Sequence, residues 1–521
     1  MTEPARRTSS SGLGRRLVTN TLHAATGRFV ALLVWLVFTP AILRSLGPQA
    51  FGVWALFYVL TGYFAALDFG LVQSTLRYVA AAREKGADAE AGAYATLGVL
   101  GYLLLAILWF LVALGAGNAA IAWLRIPATE VQAAHVAVFA GAGVFVLAGV
   151  ANVTIAVLQG YGRFDLANLM VLAMASVQTV GFLLALRLHS GFNGFVVAVV
   201  VAWSLTGLLG LGIVPLAAPR FRWATPMAIR AHVREMWRFG GPVQITNLLG
   251  VLHSHADKIL LSRFVALASI VPYELGSRVS LTVCALPQLM LMAVLPEASA
   301  IFVAGDRDRL RLLYERGSRH VMTAVAVTLA PVLGAADRIF AVWLGPGHGD
   351  AALVTRVVTS TIWFTMTTGM GTTLGRAIAR TELETWYATV TVAVHLTLSW
   401  LLLPRLGLPG ALIGYAAGGV CGVALFFIVF ARALGWSLGF VLASCGRPLV
   451  ATLGGSTAGW LVDRLLPVSA GGALGWLLLC LSAVAASATA FALVLATQYL
   501  RWSDVRTGFA AVVRTLRVQA G

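Results

Sequence analysis

Apolar segments close to twenty residues long follow one another along almost the whole of this 521-residue chain. An α-helix needs about 20 apolar residues to cross the roughly 30 Å of hydrocarbon in a lipid bilayer. Hydrophobic residues make up 59% of the sequence and charged residues only 11%, whereas a soluble domain carries about 25% charged residues. The strands of a membrane β-barrel would give shorter segments of alternating polarity. The sequence therefore predicts an all-α polytopic membrane protein.

We predict fourteen transmembrane helices, with both termini in the cytoplasm. This orientation places most of the 37 lysine and arginine residues in short inside segments, in agreement with the positive-inside rule. The same distribution explains the net charge of +17 without a nucleic acid partner. The predicted spans are 21–43, 50–67, 94–114, 134–158, 168–187, 194–216, 240–262, 273–295, 320–336, 353–374, 384–403, 409–431, 449–466 and 473–499.

The sequence also repeats its own landmarks. The element Arg380-x-Glu382-Leu383 echoes Arg163-x-Asp165-Leu166, and Arg263 echoes Arg44, at an interval of about 217–219 positions. Because the interval contains six spans, both halves start on the same side of the membrane. This predicts two six-helix lobes related by a pseudo-two-fold axis along the membrane normal. The predicted segments are an N-terminus 1–20, an N-lobe 21–216, a cytoplasmic linker 217–239, a C-lobe 240–431, a final helix pair 449–499 without a counterpart, and a basic amphipathic tail 500–521.

Span seven carries a polar stripe on an otherwise apolar helix. At 100° per residue its members share an arc of about 100°. A charge at the centre of a membrane helix costs about 2.5–3.5 kcal/mol on insertion scales, so we expect the stripe to face a wet cavity. The alternative is a set of structural hydrogen bonds between helices. The stripe comprises Gln244, Asn247, Ser254, His255 and Lys258.

Arg28 lies in span one, which is the repeat partner of span seven. Both lobes therefore bring a cation into equivalent helices, Arg28 in one and Lys258 in the other. We expect a cavity lined by these cations to suit a phosphate or diphosphate. The alternative is that Arg28 reaches the cytoplasmic headgroups along its aliphatic stem.

Other polar residues in apolar surroundings have simpler expectations. Glu274 and Arg278 are spaced i,i+4 and should pair with each other. Asp68 follows span two and should cap the next turn. His395 and Gln178 are interpreted as hydrogen-bonding residues of the helix core. We find no nucleotide-binding loop and no metal-ligand spacing of cysteines, and we expect neither enzymatic activity nor a cofactor.

Three motifs carry a resemblance to a known family. Leu46-Gly-Pro-Gln-Ala-Phe-Gly-Val-Trp-Ala-Leu56, Asp68-Phe-Gly-Leu-Val72 and Arg77-Tyr-Val-Ala-Ala81 resemble the N-terminal signature of polysaccharide flippases. These flippases belong to the multidrug/oligosaccharidyl-lipid/polysaccharide (MOP) exporter superfamily. The segment Ala256-Asp-Lys-Ile-Leu-Leu-Ser-Arg263, with Tyr273-Glu-Leu-Gly-Ser-Arg278, resembles the second-lobe counterpart.

The resemblance implies a flippase that moves a lipid-linked oligosaccharide, of the undecaprenyl diphosphate type, by alternating access across the bacterial cytoplasmic membrane. Arg28 and Lys258 are then candidates for the cationic substrate cavity, together with the rest of the span-seven stripe. The candidates for gating or ion coupling are Arg44, Asp68, Asp257, Arg263, Glu274 and Arg278. The final helix pair resembles the one that holds the lipid tail in lipid flippases. Expected partners are the lipid-linked oligosaccharide, membrane lipids, a polysaccharide polymerase and glycosyltransferases.

Two other functions are compatible with the sequence. A cation-coupled multidrug exporter of the same superfamily would need a buried carboxylate, for which Asp257 is the main candidate. A non-transporting scaffold of a glycan-assembly complex would need no polar stripe at all.

Overall fold

The computed structural model describes residues 10–66, 68, 70–443, 445–466, 472–500 and 502. Every regular element in these residues is a helix, in agreement with the predicted all-α class. Two short 3₁₀ helices, Ala128–Glu130 and Leu267–Ser269, connect longer ones. The α-helices are α1 Ser10–Ala66, α2 Leu71–Glu84, α3 Asp88–Trp123, α4 Val131–Gly160, α5 Phe164–Arg187, α6 Gly191–Ala217, α7 Pro226–Phe264, α8 Ile270–Val303, α9 Arg307–Gly334, α10 Ala336–Trp343, α11 Gly349–Thr367, α12 Gly369–Ala377, α13 Glu382–Leu406, α14 Leu408–Leu434, α15 Leu438–Leu442, α16 Gly446–Leu465 and α17 Gly472–Ala496.

Most of the predicted spans coincide with these helices. Among the described residues, eight helices are long and apolar enough to cross a bilayer. The pair α9 and α10 is bent by 64° at its break and would add a ninth span if it crossed the membrane as one segment. Fourteen crossings therefore remain a prediction. The predicted tail 500–521 lies almost entirely outside the described residues.

The first two predicted spans are joined in α1. The backbone departs from helical geometry at Gly47, where φ is 74° and ψ is 169°. Glycine adopts a positive φ without steric cost, and Pro48 immediately after it cannot donate a backbone hydrogen bond. These two residues place the break between the predicted spans 21–43 and 50–67.

The chain forms two compact units. Unit 1 runs to His255 and also contains Ala266–Ala268, whereas unit 2 comprises Ala256–Val265 and the chain from Ser269 onward. The change of unit therefore falls within α7. Helices α1 to α6 belong to unit 1, and helices α8 to α17 belong to unit 2.

The predicted linker 217–239 is part of unit 1 and packs against its helices. Its second half is already helical, because α7 begins at Pro226. Phe221 is fully buried in a cluster with side chains of α2 to α5. The amide of Ala224 donates a 2.9 Å hydrogen bond to Thr96 Oγ1 of α3. Gly92 is required beside this segment, since a Cβ there would lie 1.9 Å from the Arg222 carbonyl oxygen.

Small residues bring the final helix pair close to α9 within unit 2. Ala330, Ala486 and Ala490 form a buried cluster, and a Cβ on Gly455 would lie 2.6 Å from the Ala486 carbonyl oxygen. Close backbone approach of this kind is how membrane helices associate where no water is available to drive hydrophobic packing. A buried ion pair between Arg338 and Asp463 joins α10 to α16.

Candidate transport site

A buried carboxylate lies at the centre of a polar cluster in unit 2. Asp257, near the end of α7, is 0% exposed. His395 Nε2 on α13 lies 2.9 Å from both carboxylate oxygens, and Tyr273 of α8 donates its hydroxyl to Oδ2. Ser399, one turn beyond His395, donates to Oδ1 at 3.3 Å. Three helices therefore converge on one carboxylate, and we call these four residues the Asp257 cluster.

The spacing of the sequence explains how the cluster forms. His395 and Ser399 are separated by four residues on α13, so both side chains lie on one face of that helix. Tyr415 on α14 meets the imidazole of His395 edge-on, with ring centroids 5.4 Å apart. Gly414 and Gly418 permit this close packing, because a Cβ on either would lie within 3 Å of α13 atoms.

An ion triad lies next to the Asp257 cluster along the chain. Lys258 follows Asp257 on α7, and Glu274 follows Tyr273 on α8. Because Asp257 and Tyr273 are in contact, Lys258 and Glu274 can also reach each other. Lys258 Nζ lies 2.5 Å from Glu274 Oε2. Arg278 donates to Glu274 Oε1 from Nε at 3.0 Å and also from Nη2. The expected pairing of Glu274 with Arg278 is confirmed, and Lys258 joins it.

Lys258 differs from the expectation of a cation that faces a wet cavity. The residue is only 5% exposed and its charge is matched by Glu274. The counter-charge comes from a different helix, sixteen positions later, and so no helical wheel of α7 could reveal it. Removing one partner of a buried ion pair typically costs about 3–5 kcal/mol, because the other charge is left uncompensated.

The other residues predicted to line the substrate cavity have separate surroundings. His255 is half-buried in unit 1 beside Gly62 of α1, where a Cβ would lie 3.1 Å from its Nε2. Arg28, Gln244 and Asn247 belong to α1 and α7, but their side chains lie outside the described residues. Their assignment to a substrate cavity therefore stays a prediction.

The two proposed gate arginines also have different surroundings. Arg44 is exposed. Arg263 is half-buried, with its guanidinium carbon 5.6 Å from the centre of the Phe264 ring. Phe264 in turn meets Trp400 of α13 edge-on, with ring centroids 4.8 Å apart. A gating role for either arginine remains a prediction.

Asp68 caps a turn, as expected from the sequence. Its Oδ1 accepts a 2.8 Å hydrogen bond from the Gly70 amide in front of α2. Its Oδ2 accepts a second one, 2.7 Å long, from the hydroxyl of Tyr102 on α3. The Asp68 carboxylate therefore connects the turn between α1 and α2 to α3 within unit 1.

Three residues in or beside the Asp257 cluster were not predicted as site residues from the sequence. Tyr273, Ser399 and Tyr415 were not singled out, and His395 was expected in the core without a named partner. A signal existed in α13, where His395 and Ser399 share a face of an otherwise apolar segment. The partner on α7 could not be found in this way, since 138 positions separate it from His395.

The fold of the chain is that of MOP superfamily transporters. A multidrug resistance transporter of the MATE family, in its inward-facing conformation, superposes with a TM-score of 0.65 at 15% identity, over 78% of this chain and 94% of the other. The lipid II flippase MurJ, in an inward closed conformation, gives a TM-score of 0.65 at 13% identity, over 93% of this chain and 100% of the other.

Residues 17–302, more than half of the chain, match the family of polysaccharide biosynthesis proteins. The chain belongs to that family, which confirms the resemblance found in the sequence motifs. It is a multi-pass membrane protein, with eight described helices long and apolar enough to cross a bilayer. No curated protein sequence matches the chain.

Proposed function

We propose that this protein is a flippase that carries a lipid-linked oligosaccharide, of the undecaprenyl diphosphate type, across the bacterial cytoplasmic membrane. The observation that carries the proposal is the match of residues 17–302 to polysaccharide biosynthesis proteins. The extent of the fold similarity supports a lipid substrate, since the flippase structure covers 93% of the chain and the MATE structure 78%. Both termini would be cytoplasmic, and the protein would transport without acting as an enzyme.

Cations are proposed to meet the diphosphate of the substrate. Arg28 on α1 and Lys258 on α7 are the candidates, with Gln244, Asn247 and His255 supplying further polar contacts. Arginine and lysine both bind phosphate oxygens through charge-assisted hydrogen bonds. Glycosyltransferases would supply the substrate and a polymerase would consume it.

Ion coupling is proposed to occur at the Asp257 cluster. A single negative charge in an apolar interior is unfavourable unless a positive charge balances it. Asp257 and His395 are in direct contact, and their charges balance when the pair holds one proton more than a neutral imidazole beside an ionised carboxylate. Uptake of that proton from one side of the membrane and its release to the other, down a proton gradient, would drive the movement of the substrate.

A second candidate function, a cation-coupled multidrug exporter, is favoured by the same observation. Asp257 is the buried carboxylate that such an exporter would need. The match of residues 17–302 to polysaccharide biosynthesis proteins favours a glycan substrate over a cationic drug, and for this reason we prefer the flippase.

A test of the flippase proposal uses cells that lack the gene. Loss of the protein should remove surface glycan and leave its lipid-linked precursor on the inner leaflet, whereas resistance to cationic drugs should not change. The opposite result, with normal glycan and increased drug sensitivity, would favour the multidrug exporter.

Substitution of the candidate cations tests the substrate contacts. Complementation with Arg28→Ala or Lys258→Ala should not restore surface glycan, while immunoblots of washed membranes show normal amounts of inserted protein. Arg125→Ala, in the segment between α3 and α4, is a suitable control and should restore glycan fully. Normal glycan in both test variants would exclude the two residues as substrate contacts.

A further inference from the structure

The imidazole of His395 lies where a carboxylate would hold a bidentate metal ion. Its Nε2 is 2.9 Å from each of the two carboxylate oxygens of Asp257, so it lies equally far from both. A hard cation that is bound by both oxygens of an Asp or Glu takes the same place. Both side chains are 0% exposed and in direct contact. The ring nitrogen therefore occupies the place that such an ion would need, and we call it the chelating position of Asp257.

The other contacts of the Asp257 carboxylate are also hydrogen-bond donors. The Tyr273 hydroxyl donates to Oδ2, and the Ser399 hydroxyl donates to Oδ1 at 3.3 Å. A sodium ion in a membrane transporter is held by oxygen lone pairs, among them those of carbonyls in unwound helices. Asp257, Tyr273 and His395 lie inside regular helices, where the carbonyls accept intrahelical hydrogen bonds. The cluster therefore offers the carboxylate hydrogens, and it offers a metal few oxygen ligands.

A proton can supply the balancing charge without moving the imidazole. An ionised carboxylate only accepts hydrogen bonds, so Nε2 of His395 carries a hydrogen when it faces Asp257. A further proton then binds at Nδ1 and gives an imidazolium beside the carboxylate. The titratable groups around the ring come from three helices, and one ion pair lies a residue further along two of them: Asp257 of α7, Tyr273 of α8, Tyr415 of α14, and the pair Lys258–Glu274.

We propose that His395 determines the ion specificity of the Asp257 cluster: its imidazole fills the chelating position, so the cluster binds a proton and excludes sodium. The inference rests on the ion coupling proposed above and adds the residue that selects the ion. Asparagine and glutamine provide a direct test, because their amides overlap different parts of an imidazole. The asparagine amide reaches only as far as Nδ1, whereas the glutamine amide reaches Nε2. His395→Asn therefore empties the chelating position and adds a carbonyl oxygen, while His395→Gln keeps the position filled.

The experiment is thermal unfolding of the purified full-length protein in detergent, in NaCl and in KCl at equal ionic strength. For the wild type, the two Tm values should agree within about 1 °C. For His395→Asn, the Tm should be at least about 2 °C higher in NaCl, because an ion that binds only the folded state stabilises it. Stabilisation of the wild type by sodium, or no effect of sodium on His395→Asn, would overturn the proposal.

Two matched variants serve as controls. His395→Gln should show no sodium effect, because its amide still fills the chelating position. Gln178→Asn makes the same kind of change at the corresponding position of unit 1, where Phe38 stands in place of Asp257. It should show no sodium effect either, since no carboxylate is present to chelate the ion. A sodium effect in either control that equals the one in His395→Asn would refute the role of the chelating position.

If His395→Asn does not fold, the wild type in proteoliposomes provides the test. An imposed pH gradient should accelerate transport of a fluorescent lipid-linked oligosaccharide, and a sodium gradient at constant pH should not. Acceleration by sodium, or by neither gradient, would overturn the proposal. Thermal unfolding needs no substrate, so a failure of the flippase function in cells would leave its result unchanged. Conversely, an unexpected sodium effect would leave the glycan phenotype of the gene deletion unchanged.

Discussion

Units 1 and 2 build different interiors on the same repeat. At the interval of about 217–219 positions, Asp257, Tyr273 and Ser399 of unit 2 correspond to Phe38, Trp54 and Phe182 of unit 1. In unit 1 these three side chains meet as rings, with centroids 5.8 Å apart for Phe38 and Phe182 and 6.0 Å for Trp54 and Phe182. In unit 2, Tyr273 and Ser399 instead donate hydrogen bonds to the carboxylate of Asp257.

The difference separates what the fold needs from what transport is proposed to need. Aromatic packing in unit 1 shows that the helices of a repeat can be joined at these positions without any charge. A buried carboxylate is costly unless its donors are all in place. Its presence in unit 2 therefore suggests a use beyond packing, and the predictions below test that comparison.

The largest effect on stability is expected at the aromatic centre of unit 1. Trp54 is fully buried, with six aromatic rings within 6.3 Å of its own. Trp54→Ala should cost about 3–5 kcal/mol, because it removes a large buried side chain and leaves a cavity. The cost should appear as a lower Tm in detergent. A Tm within a degree or two of the wild-type value would contradict the view that unit 1 depends on these rings.

A smaller but more specific effect is expected at the centre of unit 2. Asp257→Asn keeps the shape of the side chain and removes its charge. It should slow transport of fluorescent lipid-linked oligosaccharide in proteoliposomes about 100-fold, or roughly 2.8 kcal/mol in the barrier. Phe38→Leu at the corresponding position of unit 1 is the control, and its transport rate should stay within about twofold of wild type. Equal effects of the two substitutions would remove the functional distinction between the units.

The smallest effect on stability is expected when His395 of unit 2 is replaced by glutamine, the residue type found at the corresponding position of unit 1. Gln178 corresponds to His395 by the repeat interval, and in unit 1 it donates to Tyr58 at 3.4 Å. His395→Gln keeps a hydrogen-bond donor for Asp257 but removes the group that can balance its charge, so the loss of stability should be about 1–3 kcal/mol. Glutamine does not titrate, whereas histidine is the side chain best suited to change charge between about pH 5 and 8.

The measurement for this variant is the pH dependence of transport. Wild-type transport should vary across this pH range, and His395→Gln should give a flat profile. A profile with the wild-type shape would exclude His395 from ion coupling. The titratable groups that face the imidazole, Asp257 from α7, Tyr273 from α8 and Tyr415 from α14, remain in place in the variant.

Much of the fold follows from local patterns in the sequence. Runs of apolar residues set the helices, the Gly47-Pro48 pair sets the break in α1, and the repeat relates the two halves. Local spacing also gave the Glu274–Arg278 pair and the cap made by Asp68. Two features depended on longer-range packing: the linker is helical from Pro226, and α2 forms where a connection was expected.

The sequence by itself determined that this chain is helical, membrane-embedded and internally repeated, because hydropathy and spacing act over a few turns of helix. It also supplied the motifs that identify the family. Only the tertiary structure decided which buried charges meet. Lys258 was expected to face a wet cavity, and it is instead paired with Glu274; Asp257 was a candidate for coupling, and its partner proved to be His395. Such partners lie on different helices, and the free energy of burying a charge depends on the groups around it in space.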